Sequence, residues 1–153
     1  MTTDTSSRRT FVVAGAALAA AALAAAPRTA AAQAQGGRVT AHVLDLYSGT
    51  PANGIRIELL AVEGGSTKVL KSVVSNADGR PPEGPLLTPE TIRTGKYQAV
   101  LHVGDYYKKI GAKLPGGYHT KLILEFDIYD AKAPHHLPFQ ITPWTQSASV
   151  LPG

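Results

Sequence analysis

Near the end of this 153-residue chain, the stretch "APHHLPFQITPW" sets two adjacent histidines, His135 and His136, ahead of a proline in an apolar run. Histidine is the side chain whose ordinary pKa lets it give and take protons near neutral pH. Adjacent residues of a strand point to opposite faces, so only one of the two can look into a given pocket. Its partners must come from elsewhere in the chain. The other histidines are His42, His102 and His119. His42 sits in "TAHVLD", flanked by small or apolar residues, and reads either as a half-exposed strand residue or as an imidazole offered for proton transfer. Arg80 closes "NADGR" directly before two prolines. It is either a solvated turn residue or a planar fork for an anionic or carbonyl-rich ligand.

Other chemistries fit less well. Three histidines can form a catalytic zinc site, but no H-x-H or H-x₃-H spacing puts two rings on one side of an element. Asp45 and Asp130 also lack a recognisable ligand spacing, and no metal is expected. A serine hydrolase would want a G-x-S-x-G elbow, which is absent. The chain has no cysteine, which excludes disulfides, a thiol nucleophile, zinc–thiolate sites and a lipoprotein anchor. No dense run of Lys and Arg with interleaved aromatics suggests a nucleic-acid surface.

The elements that must hold these residues read as many short strands. "RVTAHVLDLY" alternates, with Val39, Ala41, Val43 and Asp45 on one face and Thr40, His42 and Leu44 on the other. "SGTPANG" supplies turn chemistry, "IRIELLAV" a second strand closed by "EGGS", and "TKVLKSVVS" a third ended by "NADGR". "PPEGPLLTPE" is too rich in proline for a central strand. "KYQAVLHV", "TKLILEFDIY", "HHLPFQIT" and "QSASVL" complete the set, with one short helix expected in "GDYYKKIG". Such spacing, without long helical periodicity, predicts an all-β sandwich.

The front of the chain is different. Arg8 and Arg9 precede an apolar run from Phe11 to Ala26, and Ala32-Gln33-Ala34 follows as a small-residue cleavage pattern. This is the layout of a signal peptide. "SRRTFV" fits the twin-arginine type, which carries folded proteins. The run is too short and alanine-rich to anchor the chain in a membrane. We therefore divide the chain into a removable signal, 1–34, and one domain, 35–153, destined for the periplasm or the exterior. Beyond the signal, twelve basic side chains face ten acidic ones, so the domain is nearly neutral.

Four stretches taken in order, "RVTAHVLDLYSGTPANGIRIEL", "SNADGRPPEGPLL", "GKYQAVLHVGDYY" and "HHLPFQITPW", resemble the 5-hydroxyisourate hydrolases, the transthyretin-related enzymes of urate breakdown. The resemblance runs from about Arg38 to Trp144. It implies a transthyretin-like sandwich of two four-stranded sheets, a homotetramer built as a dimer of dimers, and a small-molecule substrate bound in a channel between the dimers. It also implies hydrolysis of 5-hydroxyisourate to 2-oxo-4-hydroxy-4-carboxy-5-ureidoimidazoline with no cofactor.

The family's first catalytic histidine lies in the "HVLD" motif and falls on His42, and its arginine closes "DGR" and falls on Arg80. Its later motif, H-x-H-x-P, aligned on Pro138, sets the catalytic histidine at His136. Pro134 takes the place of the first histidine of that motif, and His135 fills the intervening position. The resemblance thus implies that His136 faces the site and His135 faces away. Histidines beside an arginine should stay neutral, because nearby positive charge disfavours imidazolium. Enzymes of the family end in Tyr-Arg-Gly-Ser and line the site with that tail, whereas this chain ends "TQSASVLPG". Counting on from Pro143 puts Ser149 at the tyrosine position, where it would join His42 and Arg80 in binding substrate, and Val150 at the arginine position. A tail of this kind is closer to that of transthyretin, a carrier, so a periplasmic binding protein without hydrolase activity is the alternative expectation.

Overall fold

The computed structural model describes residues 36–153 apart from Pro115. The proposed signal, 1–34, lies outside the described residues. The domain is a sandwich of two sheets with one helix. The first strand, β1 (Arg38–Asp45), alternates as its sequence does: Val39, Ala41, Val43 and Asp45 are buried, while Arg38, Thr40, His42 and Leu44 are half-exposed. β2 (Thr50–Pro51) is a two-residue edge strand, where the sequence predicted only a turn. β3 (Arg56–Glu63) and β4 (Ser66–Val74) form a hairpin. Gly64 and Gly65, with φ of 55° and 80°, give its two-residue tip the positive dihedrals that match strand twist. A register shift between Leu59 and Leu60 leaves Leu70 as the extra residue of a bulge in β4.

β5 (Gly95–Leu101) leads into α1 (Val103–Lys109), the short helix expected there. β6 (Leu122–Ile128) and β7 (Pro134–Ile141) follow, and the tail forms β8 (Gln146–Ala148) and β9 (Leu151–Pro152). One sheet has the order β4-β3-β5-β6. The other has the order β2-β1-β7-β8, with β9 also paired to β7. It therefore contains five strands, not the expected four. Since β8 and β9 lie end to end along β7 in one continuous register, this sheet is nonetheless four positions wide.

The two sheets enclose Val39, Val43, Ile57, Leu59, Leu101 and Phe139, each fully buried. Such side chains contribute roughly 1.5–3 kcal/mol apiece when buried. β1 and β7 pair in parallel, with Thr40 opposite His136 and His42 opposite Pro138. That pairing is what places two histidines from opposite ends of the domain on one sheet face.

A buried carboxylate closes the end of β1. Asp45 is inaccessible to solvent. Its Oδ1 accepts from the Tyr107 hydroxyl and the Tyr47 amide at 2.5 and 3.0 Å. Its Oδ2 accepts from the Ser48 and Tyr106 hydroxyls at 2.6 and 3.1 Å. All four acceptor positions of the carboxylate are thereby used.

Candidate active site

The face of the β1–β7 sheet that points away from the core carries two rows of interest. Thr40, His136 and Leu151 stand across from one another, and His42, Pro138 and Ser149 form the next row. Ser149 joins the second row because its amide donates to the Pro138 carbonyl at 3.3 Å, in the register of β8 and β9. His135 pairs with Val39 on the opposite face, and its Nδ1 is buried without a hydrogen-bond partner. A strand of period two can divide adjacent histidines only in this way.

Arg80 reaches this face from the turn after β4. Asn76 organises the turn: its Oδ1 accepts from the amides of Asp78 and Arg80, each at 3.0 Å, and its own amide donates to the Arg80 carbonyl at 2.8 Å. Gly79 has a φ of 70° and donates to the Asn76 carbonyl. The Val43 amide of β1 then donates to the Gly79 carbonyl at 2.9 Å. A side chain at Gly79 would run into the Val43 carbonyl oxygen, so glycine is needed both for the dihedral and for the close approach. The turn is thus sewn to β1 one residue from His42. Arg80 Nη2 stands 3.5 Å from His42 Nδ1. Beyond it, Arg80, Pro81, Gly84 and Pro85 enclose with Thr40 and Ala41 a shallow cavity of about 150 Å³.

The electrostatics favour neutral rings. Partial burial and then the Arg80 guanidinium hold the His42 imidazole below its usual pKa of 6.5, against a smaller opposing effect of the Asp78 carbonyl and carboxylate. His136 is lowered by burial, then by Arg80, then by His42. Two imidazoles that remain unprotonated at neutral pH can accept protons, and a guanidinium beside them can hold a carbonyl-rich ring or an oxyanion. The acidic limb of any activity run by these rings should therefore fall below pH 6.5. Arg80→Gln should move that limb upward, because removal of the neighbouring positive charge raises both rings; a pH–rate profile of the two proteins reads it.

The remaining histidines stand apart. His102 is buried at the start of α1, with Nδ1 2.7 Å from Arg56 Nη2 and Nε2 3.0 Å from Glu58. His119 meets the Trp144 carbonyl through Nε2 at 2.8 Å. Among the described residues, no group of three or more His, Asp and Glu side chains is arranged to hold a metal ion. The sequence did not single out Thr40, whose Oγ1 lies 2.8 Å from His136 Nδ1. Nor did it reveal that Leu151, rather than a polar residue, would stand beside His136. Both follow from strand register, which no local pattern displays.

Comparison with known proteins identifies the family and the fold. Residues 39–148 match the family model described as "HIUase/Transthyretin family". The chain is 40% identical over 112 residues to 5-hydroxyisourate hydrolase 2 of Rhizobium meliloti (strain 1021), a match covering 72% of this chain and 92% of that protein. Among solved structures, the 5-hydroxyisourate hydrolase of Klebsiella pneumoniae superposes with a TM-score of 0.61 at 28% identity, over 75% of this chain and 99% of that one. (S)-allantoin synthase superposes with a TM-score of 0.70, also at 28% identity; the match spans 76% of this chain but 44% of that longer one. The fold is transthyretin-like, and the chain belongs to the HIUase/transthyretin family.

Proposed function

We propose that this protein hydrolyses 5-hydroxyisourate in the degradation of urate, at the sheet face where His42, Arg80 and His136 meet. The observation that carries the reading is their convergence: one histidine from each partner of a parallel strand pair and one arginine from a turn bonded to the first of those strands. The name and 40% identity of the R. meliloti relative support it.

The reaction needs water to add to a ring carbonyl of the substrate and the adjacent C–N bond to break. One neutral imidazole takes the proton from the attacking water. The other orients that water or returns the proton to the leaving nitrogen. Arg80 holds the urate-derived ring and offsets the negative charge that develops on the carbonyl oxygen. Ser149, in the row of His42, offers a hydroxyl to the substrate where the family's tail offers a phenol.

The decay of freshly generated 5-hydroxyisourate, followed by ultraviolet absorbance, tests the reading. The protein should accelerate the decay above its spontaneous rate, and His42→Ala should remove most of the acceleration. The second reading, a carrier without turnover, is favoured by the tail alone, which lacks the phenol and guanidinium of Tyr-Arg-Gly-Ser and sets Leu151 beside His136. Saturable binding of a purine-like compound with no acceleration would establish it.

Both readings place the protein outside the cytoplasm, exported folded by the twin-arginine-type segment 1–34 and released into the periplasm or beyond. Both also use a homotetramer, a dimer of dimers, with the site in the channel between dimers. Exposed Leu46, Tyr47, Trp144 and Leu151, in or beside the sheet that carries the site, support such packing.

A further inference from the structure

We propose that Thr40 is a positioning residue that fixes the tautomer of His136, holding the ring proton on Nδ1 and leaving Nε2 as the proton acceptor. The inference rests on the hydrolase reading for its role in turnover, but the tautomer itself is a property of the protein alone.

Thr40 and His136 are directly opposed in the parallel β1–β7 register, so their side chains rise from the same face. Thr40 Oγ1 is 2.8 Å from His136 Nδ1. A hydroxyl has one proton to give and two lone pairs. Here the proton has its own acceptor, the His135 carbonyl, 3.4 Å from Oγ1. The assignment turns the hydroxyl that way, so that a lone pair of Oγ1 faces Nδ1 and Nδ1 carries the hydrogen. The bond made by one ring nitrogen decides what the other can do. Nε2 is left with its lone pair, the state required of a group that takes a proton from water.

The same contact orients the ring. Threonine is β-branched and stiff at χ1 in a strand, so the hydroxyl is a fixed point for Nδ1. The next residue along the strand, Ala41, faces the core, and β1 is itself held by β7 on one side and by the bonded turn at Gly79 on the other. His136 is therefore aligned by a rigid element and by a side chain that need not touch the substrate.

The test uses ring-nitrogen-labelled histidine and nitrogen-15 NMR at a pH where His136 is neutral, with Thr40→Val, which keeps the branched shape, and Thr40→Ser, which keeps the hydroxyl. In the unaltered protein and in Thr40→Ser, Nδ1 of His136 should show the signal of a protonated nitrogen and Nε2 that of an unprotonated one. Thr40→Val should lose this asymmetry. It should also lower kcat by about 10–100-fold, by analogy with the loss of a hydrogen-bond partner that orients a metal-ligating imidazole, with little change in KM and with recovery in Thr40→Ser. A proton found on Nε2 in the unaltered protein, or a tautomer unmoved by Thr40→Val, would overturn the assignment. Should the protein prove inactive toward 5-hydroxyisourate, the hydrolase reading fails while the NMR result still decides the role of Thr40.

Discussion

His136→Ala is expected to lower kcat/KM toward 5-hydroxyisourate by roughly 10²–10⁴-fold, the range supplied by a positioned general acid or base, while the protein stays folded. The size of the effect follows from what the ring does. It lies half-buried on the open face, beside Arg80 and His42, and Thr40 is the partner of its Nδ1. The survival of the fold follows from where it is. Its neighbours Leu137 and Phe139 carry the core contacts of β7, and the β1–β7 ladder is made by the backbone. His135→Ala is the paired control. One residue away and on the opposite face, it should leave kcat/KM unchanged, because the register gives its ring no path to the site. Equal losses in both variants would mean that face assignment does not govern the chemistry. Steady-state kinetics with a thermal unfolding curve for each variant distinguish these outcomes.

The second large effect concerns stability. Asp45→Ala should cost on the order of 3–5 kcal/mol, the upper end for a single substitution and typical of breaking a buried hydrogen-bond network, and a substantial part of the roughly 5–15 kcal/mol that holds a typical domain together. The carboxylate takes four donors at once. Its removal leaves the buried Tyr106 hydroxyl without an acceptor and Tyr107 with only the Ile141 carbonyl at 3.3 Å, and a buried polar group left unsatisfied costs about 1–3 kcal/mol. Asp45→Asn should be intermediate, since an amide nitrogen donates where the carboxylate oxygen accepted. Urea unfolding midpoints measure the series.

The same cluster predicts how the domain fails in alkali. Burial and then the Asp45 carboxylate push the Tyr106 phenol from 10.0 up to about 12, and burial followed by the Asp45 hydrogen bond raises Tyr107 as well. A raised folded-state pKa means that the folded form holds protons the unfolded form gives up. The contribution is fully present below about pH 10, the phenol's unfolded pKa, and is lost as pH rises through the raised values. Phenolate absorbance from these two residues should therefore appear together with unfolding, not before it. Phenolate absorbance from these two residues while the fold is intact, read as the difference from a protein carrying Tyr106→Phe and Tyr107→Phe, would contradict the cluster.

Strands with one buried face were legible in the sequence: β1 alternates because its two sides meet different surroundings, and "EGGS" signals the β3–β4 hairpin because glycine readily adopts the positive dihedrals of that tip. Thr50–Pro51 was not legible as a strand, since two residues in a turn-rich stretch have no periodicity to show. The division of the tail into β8 and β9 was equally invisible. It depends on register against β7, and register also made the sheet five strands where four were expected. Within the site, the residue types at His42, Arg80 and His136 invited alternatives, and resemblance to a family selected among them. The neighbours of those residues were hidden for a physical reason. Thr40 and His136 are separated by 96 positions, and Asp45 and its tyrosines by 61 and 62. No local pattern spans such distances.

The central pair of the site sheet also has a kinetic meaning. β3 pairs with β4 across a two-residue turn, and the β3–β5 and β5–β6 pairings span less of the chain than β1–β7 does, so the sheet opposite the site can assemble earlier. β1 must wait for β7 across almost the whole domain, and pairings of such long range are slow to form. During synthesis, or on dilution from denaturant, much of the secondary structure should be in place before His42 and His136 share a surface. Catalytic competence should accordingly be the last property to return in refolding. A chain halted before β7 would hold all four strands of the opposite sheet, while β1, deprived of its longest partner, exposed an apolar edge for chaperones or other chains to meet.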